Sequence, residues 1–402
     1  MSEPTTRRPS AAAVLVPGTA MIAVTFGLAR YGYGLLLPEM RTDLGMSASA
    51  AGLVSSATYV SYMVANVLVV PVTARWGPRA AVAAAAGTAV IGMATIAVAN
   101  SVGLLATGVL VAGAAAGFAF PPYADIVDRQ VEASRRDLVW STISSGTGWG
   151  VAIAGPIAIV ASDQWRLAWA GFVVIAVVSG VVATRLAPGP DDGSLRRPQL
   201  SPSWFICPRS RPLLLSAVLV GTGTSVWWAF SVDAMQTEGL GTTPARVVYA
   251  VCGAAMLLGS VSGIVFARLG LRSGYLGTIV LLTASLTLLA AATAELAWAL
   301  VAAVLFGAFY ASVIAAHGIW SSQVFADHPA AGLAAYSAAL TIGTLVGPVV
   351  AGFAIQQASH TLALVGAAAV TAVALPVCPP SERRREVLAE HVEHCRAAPV
   401  LP

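Results

Sequence analysis

The sequence predicts an all-α membrane protein of twelve transmembrane helices in two pseudo-symmetric six-helix halves, and three observations carry this prediction. The 402 residues are 57% hydrophobic and 10% charged, whereas a soluble domain carries about 25% charged residues. Apolar runs of about 20 residues, the length that crosses a bilayer, follow one another along the chain. A basic motif and a Gly-Pro step each recur 192 or 193 residues further on, as expected of a duplicated unit.

The apolar runs define the predicted spans. Each run is long enough to cross the hydrocarbon core, and charged or turn-forming residues separate it from the next. Gly and Pro within the runs suit bundled helices, because neighbouring helices satisfy the freed backbone groups. The predicted spans cover residues 13–38, 50–73, 80–99, 102–124, 140–161, 166–187, 213–236, 246–267, 273–293, 296–321, 331–355 and 360–379.

The arginines predict the orientation. All 22 basic residues are arginine, and eighteen lie at the N-terminus, in the loops that follow even-numbered spans or in the C-terminal tail. Only Arg41, Arg166 and Arg246 lie on the opposite side. Because cytoplasmic loops carry the excess of positive residues, we expect a multi-pass protein of the bacterial inner membrane with both termini in the cytoplasm.

The basic motif Ala74–Arg79 recurs 193 residues further on as Ala267–Arg272, each time between two apolar runs. We expect these two loops to constrain movements between helices. The residues assigned to this role are Arg75, Gly77, Arg79, Arg268, Gly270 and Arg272.

Spans five and eleven carry the repeated Gly-Pro step. Small residues let helices approach closely, and a proline bends a helix or removes one hydrogen bond. We expect close helix packing as the immediate role, with flexing as an indirect consequence. The residues are Gly146, Gly150, Gly155, Pro156, Gly343, Gly347 and Pro348.

A polar, turn-rich segment divides the spans six and six. It contains a run of Pro, Gly and Asp residues followed by Arg196, Arg197 and Pro198, which is typical of a linker. The predicted organisation is an N-terminal half over residues 1–187, a cytoplasmic linker over 188–212, a C-terminal half over 213–379 and a cytoplasmic tail over 380–402.

The sequence lacks the patterns of several other protein classes. It has no nucleotide-binding loop, no metal-ligand spacing and no nucleophile–base motif, so we expect no enzyme, no catalytic residues, no cofactor and no metal. The net charge of +4 is spread over many short loops, which does not favour nucleic-acid binding. The expected partners are a small organic substrate, protons and the lipid bilayer, and the expected state is a monomer.

Ionisable residues within spans are candidates for function, because they are expensive to place there. Arg30 lies in span one, Asp233 in span seven and His317 in span ten, while Asp125 ends span four. Arg30 either binds substrate or takes part in coupling, or it forms a structural ion pair or reaches the interface. Asp233 is its natural partner and a candidate gate or proton carrier, unless it is simply interfacial.

His317 has two interpretations. A histidine titrates near neutral pH and is able to carry a proton, but a single one also bonds readily to a neighbouring helix. Asp125 and Asp128 are expected to belong to the cytoplasmic loop. The proton-coupling or gating candidates are therefore Asp233, His317 and Arg30.

Aromatic and polar side chains on spans one, two, seven and ten favour a pocket for an amphiphilic organic molecule. Core packing and interfacial belts are the alternative explanation. The predicted substrate-binding residues are Arg30, Tyr31, Tyr33, Tyr59, Tyr62, Asn66, Trp227, Trp228, Phe309 and Tyr310.

The whole chain resembles the major facilitator superfamily in its six-plus-six spans, its basic loops after spans two and eight, and its Gly-Pro helices. The segments Gly27–Tyr33 and Leu36–Met40 resemble the first span of the YbfB/YjiJ-like branch. The resemblance implies a cavity lined by spans one, four, seven and ten. Both basic loops depart from the superfamily pattern, because Ala74 and Ala267 lack the usual acidic side chain.

The sequence therefore predicts a secondary active transporter working by alternating access between two halves. Export of a small organic molecule against protons is the main hypothesis. Proton-coupled import of an organic anion is the first alternative, with Arg30 as the carboxylate receptor. A non-transporting membrane sensor is the second, although the linker and tail are too short to fold alone.

Overall fold

The computed structural model describes residues 11–189, 209–326 and 328–380. Within these residues every regular element is a helix, as the sequence predicts. Most of the predicted linker and all of the predicted tail except residue 380 lie outside the described residues.

The α-helices follow the predicted spans closely, and short 3-10 segments lie at Ala133–Arg135 and Met256–Val261. In chain order the α-helices are α1 (Ala11–Ile22), α2 (Gly32–Leu35), α3 (Leu37–Leu44), α4 (Ala48–Ala97), α5 (Val102–Gln130), α6 (Arg136–Ala161), α7 (Trp165–Leu186), α8 (Arg211–Thr237), α9 (Thr242–Ala255), α10 (Ser262–Leu269), α11 (Leu271–Ala291), α12 (Leu296–Val324), α13 (Pro329–Gln357) and α14 (His360–Ala372).

The helix count is compatible with twelve spans. Among the described residues nine helices are long and apolar enough to cross a membrane, and Ala12–Leu28 and His360–Ala372 are shorter apolar helices. The 50-residue α4 contains predicted spans two and three, with non-helical backbone at Gly77 between them. Counted in this way, the described helices are compatible with twelve spans.

The first span is longer and more broken than predicted. Instead of one helix over 13–38, α1 passes into a π-helix at Ala23–Leu28, and the chain then turns before α2 and α3. Backbone amides of Ala29 and Tyr31 donate to carbonyls five residues earlier. Irregular backbone at membrane depth is tolerated where it is buried in protein or lines a cavity, and π-bulges occur frequently at functional sites.

The extension of the first span to Leu44 also changes the position of Arg41. The sequence places Arg41 in a loop, whereas the structure places it on α3. The apolar run ends near Pro38, but Pro38 stands in the first turn of α3, where proline is tolerated. Hydropathy therefore underestimates the length of this span.

The two basic loops share one backbone conformation. Gly77 has φ 81° and ψ 171°, and its counterpart Gly270 has φ 77° and ψ 148°. Side chains other than hydrogen rarely adopt such positive φ values. The second arginine of each loop bonds to a backbone carbonyl that follows the sixth helix of its own half: Arg79 Nε donates to Ala187 O at 2.9 Å, and Arg272 donates to Pro379 O at 3.3 Å.

Replacement of Gly77 by alanine is expected to lower the free energy of unfolding by about 1–3 kcal/mol, because a β-carbon strains this backbone conformation. Thermal unfolding of the purified protein in detergent measures the change. Gly87→Ala is the matched control, because nothing lies within 4 Å of a β-carbon built at Gly87. Equal stability of the two variants would show that a β-carbon at position 77 causes no strain.

The glycines of the Gly-Pro helices lie where helices approach most closely. A β-carbon at Gly150 would lie 2.2 Å from Ala23 O of the first span, and one at Gly343 would lie 2.1 Å from Val218 O of α8. These distances are too short for any side chain. Glycine thus allows α6 and α13 each to pack directly on the first helix of its own half.

The Gly-Pro steps of α6 and α13 also lie at contacts between the two halves. A β-carbon at Gly155 would lie 2.5 Å from the Ala250 side chain, and one at Gly52 would lie 2.1 Å from Pro348 O. Contacts α6–α9 and α4–α13 therefore join the halves through small residues, which favour close association of helices in membranes.

Candidate functional site

The Arg30 guanidinium lies near the middle of the first span, in the turn between the π-helix and α2. Four aromatic rings surround it. Its carbon atom Cζ lies 4.5 Å from the ring centroid of Tyr59, 4.7 Å from that of Tyr62, 5.6 Å from that of Phe26 and 5.8 Å from that of Tyr31. Each such contact contributes about 0.5–2 kcal/mol, so the cage stabilises the cation without neutralising it.

Arg30 has no acidic partner. No Asp or Glu of the described residues forms an ion pair with it, and its Nε atom is buried without a hydrogen-bond partner. Pairing with Asp233, one of the two alternatives that the sequence leaves open for Arg30, is therefore not formed in this structure. Asp233 lies near the end of α8, where Arg41 and His360 occupy its carboxylate.

A small cavity lies beside Arg30. Its volume open to water is ≈ 10 Å³, which is about the space of one water molecule. The closed site thus has no room for an organic substrate. The lining residues are Arg30, Tyr31, Tyr33, Gly34, Ser55, Thr58, Tyr59 and Trp228.

Aromatic contacts across the two halves close this cavity. Tyr31 of the first span stacks on Trp228 of α8 with 4.1 Å between ring centroids. The hydroxyls of Tyr31 and Tyr310 share a hydrogen bond of 3.2 Å, and the Tyr249 hydroxyl donates to Tyr31 O at 2.8 Å. The site is therefore assembled from both halves, and it changes whenever they separate.

An ion-pair cluster joins the halves at one end of the bundle. We call this end the arginine-poor end, because only Arg41, Arg166 and Arg246 among the described arginines lie there. One carboxylate oxygen of Asp233 bonds to Arg41 and lies 2.7 Å from His360 Nε2. Asp233 is 3% exposed. Since Arg41 belongs to the N-terminal half and the other two belong to the C-terminal half, this cluster holds the end closed.

A second ion pair lies at the same end. Arg246 on α9, which is 1% exposed, donates to Glu39 Oε1 on α3 at 2.8 Å. It also donates to the carbonyls of Ala158 and Ser162 at 2.8 Å, and Gln236 Nε2 donates to the same Glu39 oxygen. Hydrogen bonding of a buried charge on several sides offsets its desolvation, so this cluster is a second closure between the halves.

His317 lies in a different environment, within the C-terminal half. It is fully buried, and its Nε2 atom lies 2.8 Å from the Ser216 hydroxyl, which lies 2.6 Å from the Tyr275 hydroxyl. Its ring stacks on Trp320 at 6.4 Å. These contacts join α8, α11 and α12 of one half, and none of them reaches Arg30 or Asp233.

The other predicted residues divide between the cavity and its surroundings. Trp227 is buried behind the cavity and stacks on Phe306 at 4.3 Å, whereas Phe309 packs against the core. Asn66 donates to Tyr62 O one turn away, and Asp125 bonds to Arg129 at 2.8 Å. Half of the ten predicted substrate-binding residues line the cavity directly: Arg30, Tyr31, Tyr33, Tyr59 and Trp228.

The partners at the arginine-poor end are not predicted from the sequence. The sequence indicates only that Arg41 and Arg246 lie in loops that set the orientation, and it assigns no role to Glu39 or His360. One feature of the sequence could have indicated them: each is an ionisable residue within one helical turn of an apolar run. Which of these residues meet depends on the packing of the halves, and hydropathy does not reveal that packing.

Comparison with known proteins agrees with this architecture. The model of the Major Facilitator Superfamily matches residues 19–273, which is more than half of the chain. No curated protein sequence matches the chain. The YbfB/YjiJ-like branch stays a prediction.

Solved structures share the fold at low sequence identity. A point mutant of the nucleoside transporter NupG superimposes with a TM-score of 0.77 at 11% identity, covering 90% of this chain and 98% of its own. A bacterial homologue of the human lysosomal transporter Spinster, in an inward-facing and unoccupied conformation, gives 0.72 at 15% identity and covers 92% and 96%. With the family match and this fold, the chain belongs to the major facilitator superfamily and is a multi-pass membrane transporter rather than an enzyme.

Proposed function

We propose that this transporter moves a small organic anion. The observation that carries the proposal is the Arg30 guanidinium, which has no acidic partner among the described residues and lies where the two halves meet. An arginine stays charged and binds carboxylates through two parallel hydrogen bonds. The ring cage supports the charge and leaves it available to an anion.

Alternating access follows from the cross-half contacts. The ion pairs Arg41–Asp233 and Glu39–Arg246 close the arginine-poor end, and both must break before the cavity opens there. From the arginine distribution we place this end at the external face of the bacterial inner membrane, with both termini in the cytoplasm. The binding site then communicates with one side of the membrane at a time.

Protons are the proposed coupling ion, and the Asp233–His360 pair is the proposed protonatable element. Both groups are ionisable, and they touch each other beside the charge that closes the external end. His317 is a weaker candidate, because its contacts lie within one half and do not change when the halves separate.

Export is the proposed direction. An anion that leaves a cell gains from the inside-negative potential, by about 2.3 kcal/mol per charge and 100 mV, and inward proton movement adds to this driving force. Import of the anion together with protons is the second candidate. The Arg30 guanidinium supports import as well. An entering anion moves against the inside-negative potential, however, so import requires protons that enter with it to supply the driving force.

Proteoliposomes loaded with adipate or phthalate test the proposal, since these dianions cross a bare bilayer slowly. We expect both anions to leave faster than from protein-free vesicles, and faster still when the external medium is made acidic. Benzyltrimethylammonium serves as a cationic control and should be retained.

The outcomes separate the hypotheses. Accumulation of external anion under an acidic exterior would establish import and overturn export. Release of the cation at the rate of the anions would overturn the anion selectivity. If neither anion moved, the transport proposal itself would fail.

A further inference from the structure

The geometry points to an aromatic carboxylate as the anion that Arg30 binds, with the ring of the ligand taking the place of the Tyr31–Trp228 stack. This inference rests on the proposed transport of an organic anion and names its chemical class. Three features of the site support it, namely the cross-half stack, the rings around Trp228 and the polar groups of the cavity.

The Tyr31–Trp228 stack exists only while the two halves are together. The two rings lie 4.1 Å apart with an interplanar angle of 29°, and Tyr31 belongs to one half while Trp228 belongs to the other. Separation of the halves must unstack them. It also breaks the hydrogen bond between the hydroxyls of Tyr31 and Tyr310.

The opened site presents ring faces on both walls. Tyr31 remains next to Arg30 in the chain, and Trp228 remains flanked edge-on by Tyr249, Phe306 and Tyr310 at 5.4–5.8 Å. A planar aromatic ligand between these walls restores stacking that the opening removes. An aliphatic ligand of equal size buries apolar area but restores no stacking.

The polar groups of the cavity suit a carboxylate. Arg30 is the one charged residue among the described residues that line it. The remaining side-chain polar groups are the hydroxyls of Ser55, Thr58 and three tyrosines and the indole N–H of Trp228, which has no hydrogen-bond partner. The buried Nε atom of Arg30 has no hydrogen-bond partner. The guanidinium therefore has an N–H group that is able to donate to an incoming carboxylate. The lining has no acidic or amide side chain that would favour a sugar or a cation.

Benzoate and cyclohexanecarboxylate form the decisive ligand pair, because they have the same charge and nearly the same size but only benzoate has an aromatic face. Isothermal titration of the purified full-length protein in nanodiscs measures both affinities. We expect benzoate to bind about tenfold more tightly. Trp228→Leu should remove this preference.

Trp298→Leu is the matched control, because Trp298 is 54% exposed and lies on the outside of the bundle. It should keep the preference for benzoate. If Trp228→Leu fails to fold, the ligand pair on the unmodified protein still decides the question.

Two further outcomes distinguish this inference from the proposed function. Equal affinities for the two anions, both weakened by Arg30→Gln, would overturn the aromatic class and leave an organic-anion transporter. Absence of binding by both anions, or binding that Arg30→Gln leaves unchanged, would overturn the inference and the proposed anion site together.

Discussion

Replacement of Arg30 by glutamine is expected to weaken binding of organic anions and to slow their transport about 10- to 150-fold. A hydrogen bond to a charged group contributes about 1.5–3 kcal/mol, and 1.4 kcal/mol corresponds to a factor of ten in affinity. Glutamine keeps part of the side-chain volume and its polarity but removes the positive charge. The aromatic cage of Tyr59 and Tyr62 should remain in place around it.

The efflux of phthalate from proteoliposomes measures this effect. Arg30→Lys should recover part of the lost activity, because lysine restores the charge without the planar pair of donors. Arg166→Gln is the matched control, since Arg166 pairs with Asp43 of the same half and lies outside the cavity. Normal transport by Arg30→Gln would show that the anion binds elsewhere.

The sequence predicts the importance of Arg30 but not its surroundings. A charged residue in an apolar run is a direct signal, because burial of charge in a membrane requires a reason. The break in the helix around it is not visible in the hydropathy, since residues 23–35 are mostly apolar throughout. Gly27, Gly32 and Gly34 close to Arg30 are the local sign that the backbone is irregular there.

The duplication is predictable because it lies in the sequence itself. The matched arginines Arg79 and Arg272 lie at the same distance along the two halves, and each binds a backbone carbonyl that follows the sixth helix of its half. These hydrogen bonds give the two arginines a structural role in loops that lack the acidic residue. The partners are backbone carbonyls, which no residue pattern identifies.

Contacts between the halves are the part that sequence does not predict. Three arginines, namely Arg41, Arg166 and Arg246, are predicted at the same end of the bundle as Asp233. The packing of α3 against α8 determines that Arg41 is the one that pairs with it. With Asp233 paired in this way, Arg30 has no ion-pair partner among the described residues. This pairing supports the proposal that Arg30 binds the anion.

The second large effect is expected at this closed end. Asp233→Asn should shift the protein towards the state that is open at the arginine-poor end, because the mutation removes the charge that holds Arg41. The lost interaction contributes about 1.5–3 kcal/mol to the closed state alone, which corresponds to a roughly 10- to 150-fold change in the ratio of closed to open molecules. The Glu39–Arg246 pair remains and limits the opening.

Spin labels at Thr42 and Thr237 report the opening as a distance, since both positions are exposed and belong to opposite halves. Asp233→Asn should increase the long-distance population measured by double electron–electron resonance. Arg41→Gln should give a similar increase, and the double variant should add little, because both mutations remove the same interaction.

Asp43→Asn is the control for a general effect of charge at this end. It breaks another ion pair at this end, Arg166–Asp43 at 2.8 Å, but both partners belong to the N-terminal half. Its loss does not favour separation of the halves, so the distance distribution should remain that of the unmodified protein. If Asp233→Asn behaved like Asp43→Asn, the Arg41–Asp233 pair would not hold the halves together, and Glu39–Arg246 would have to keep the arginine-poor end closed by itself.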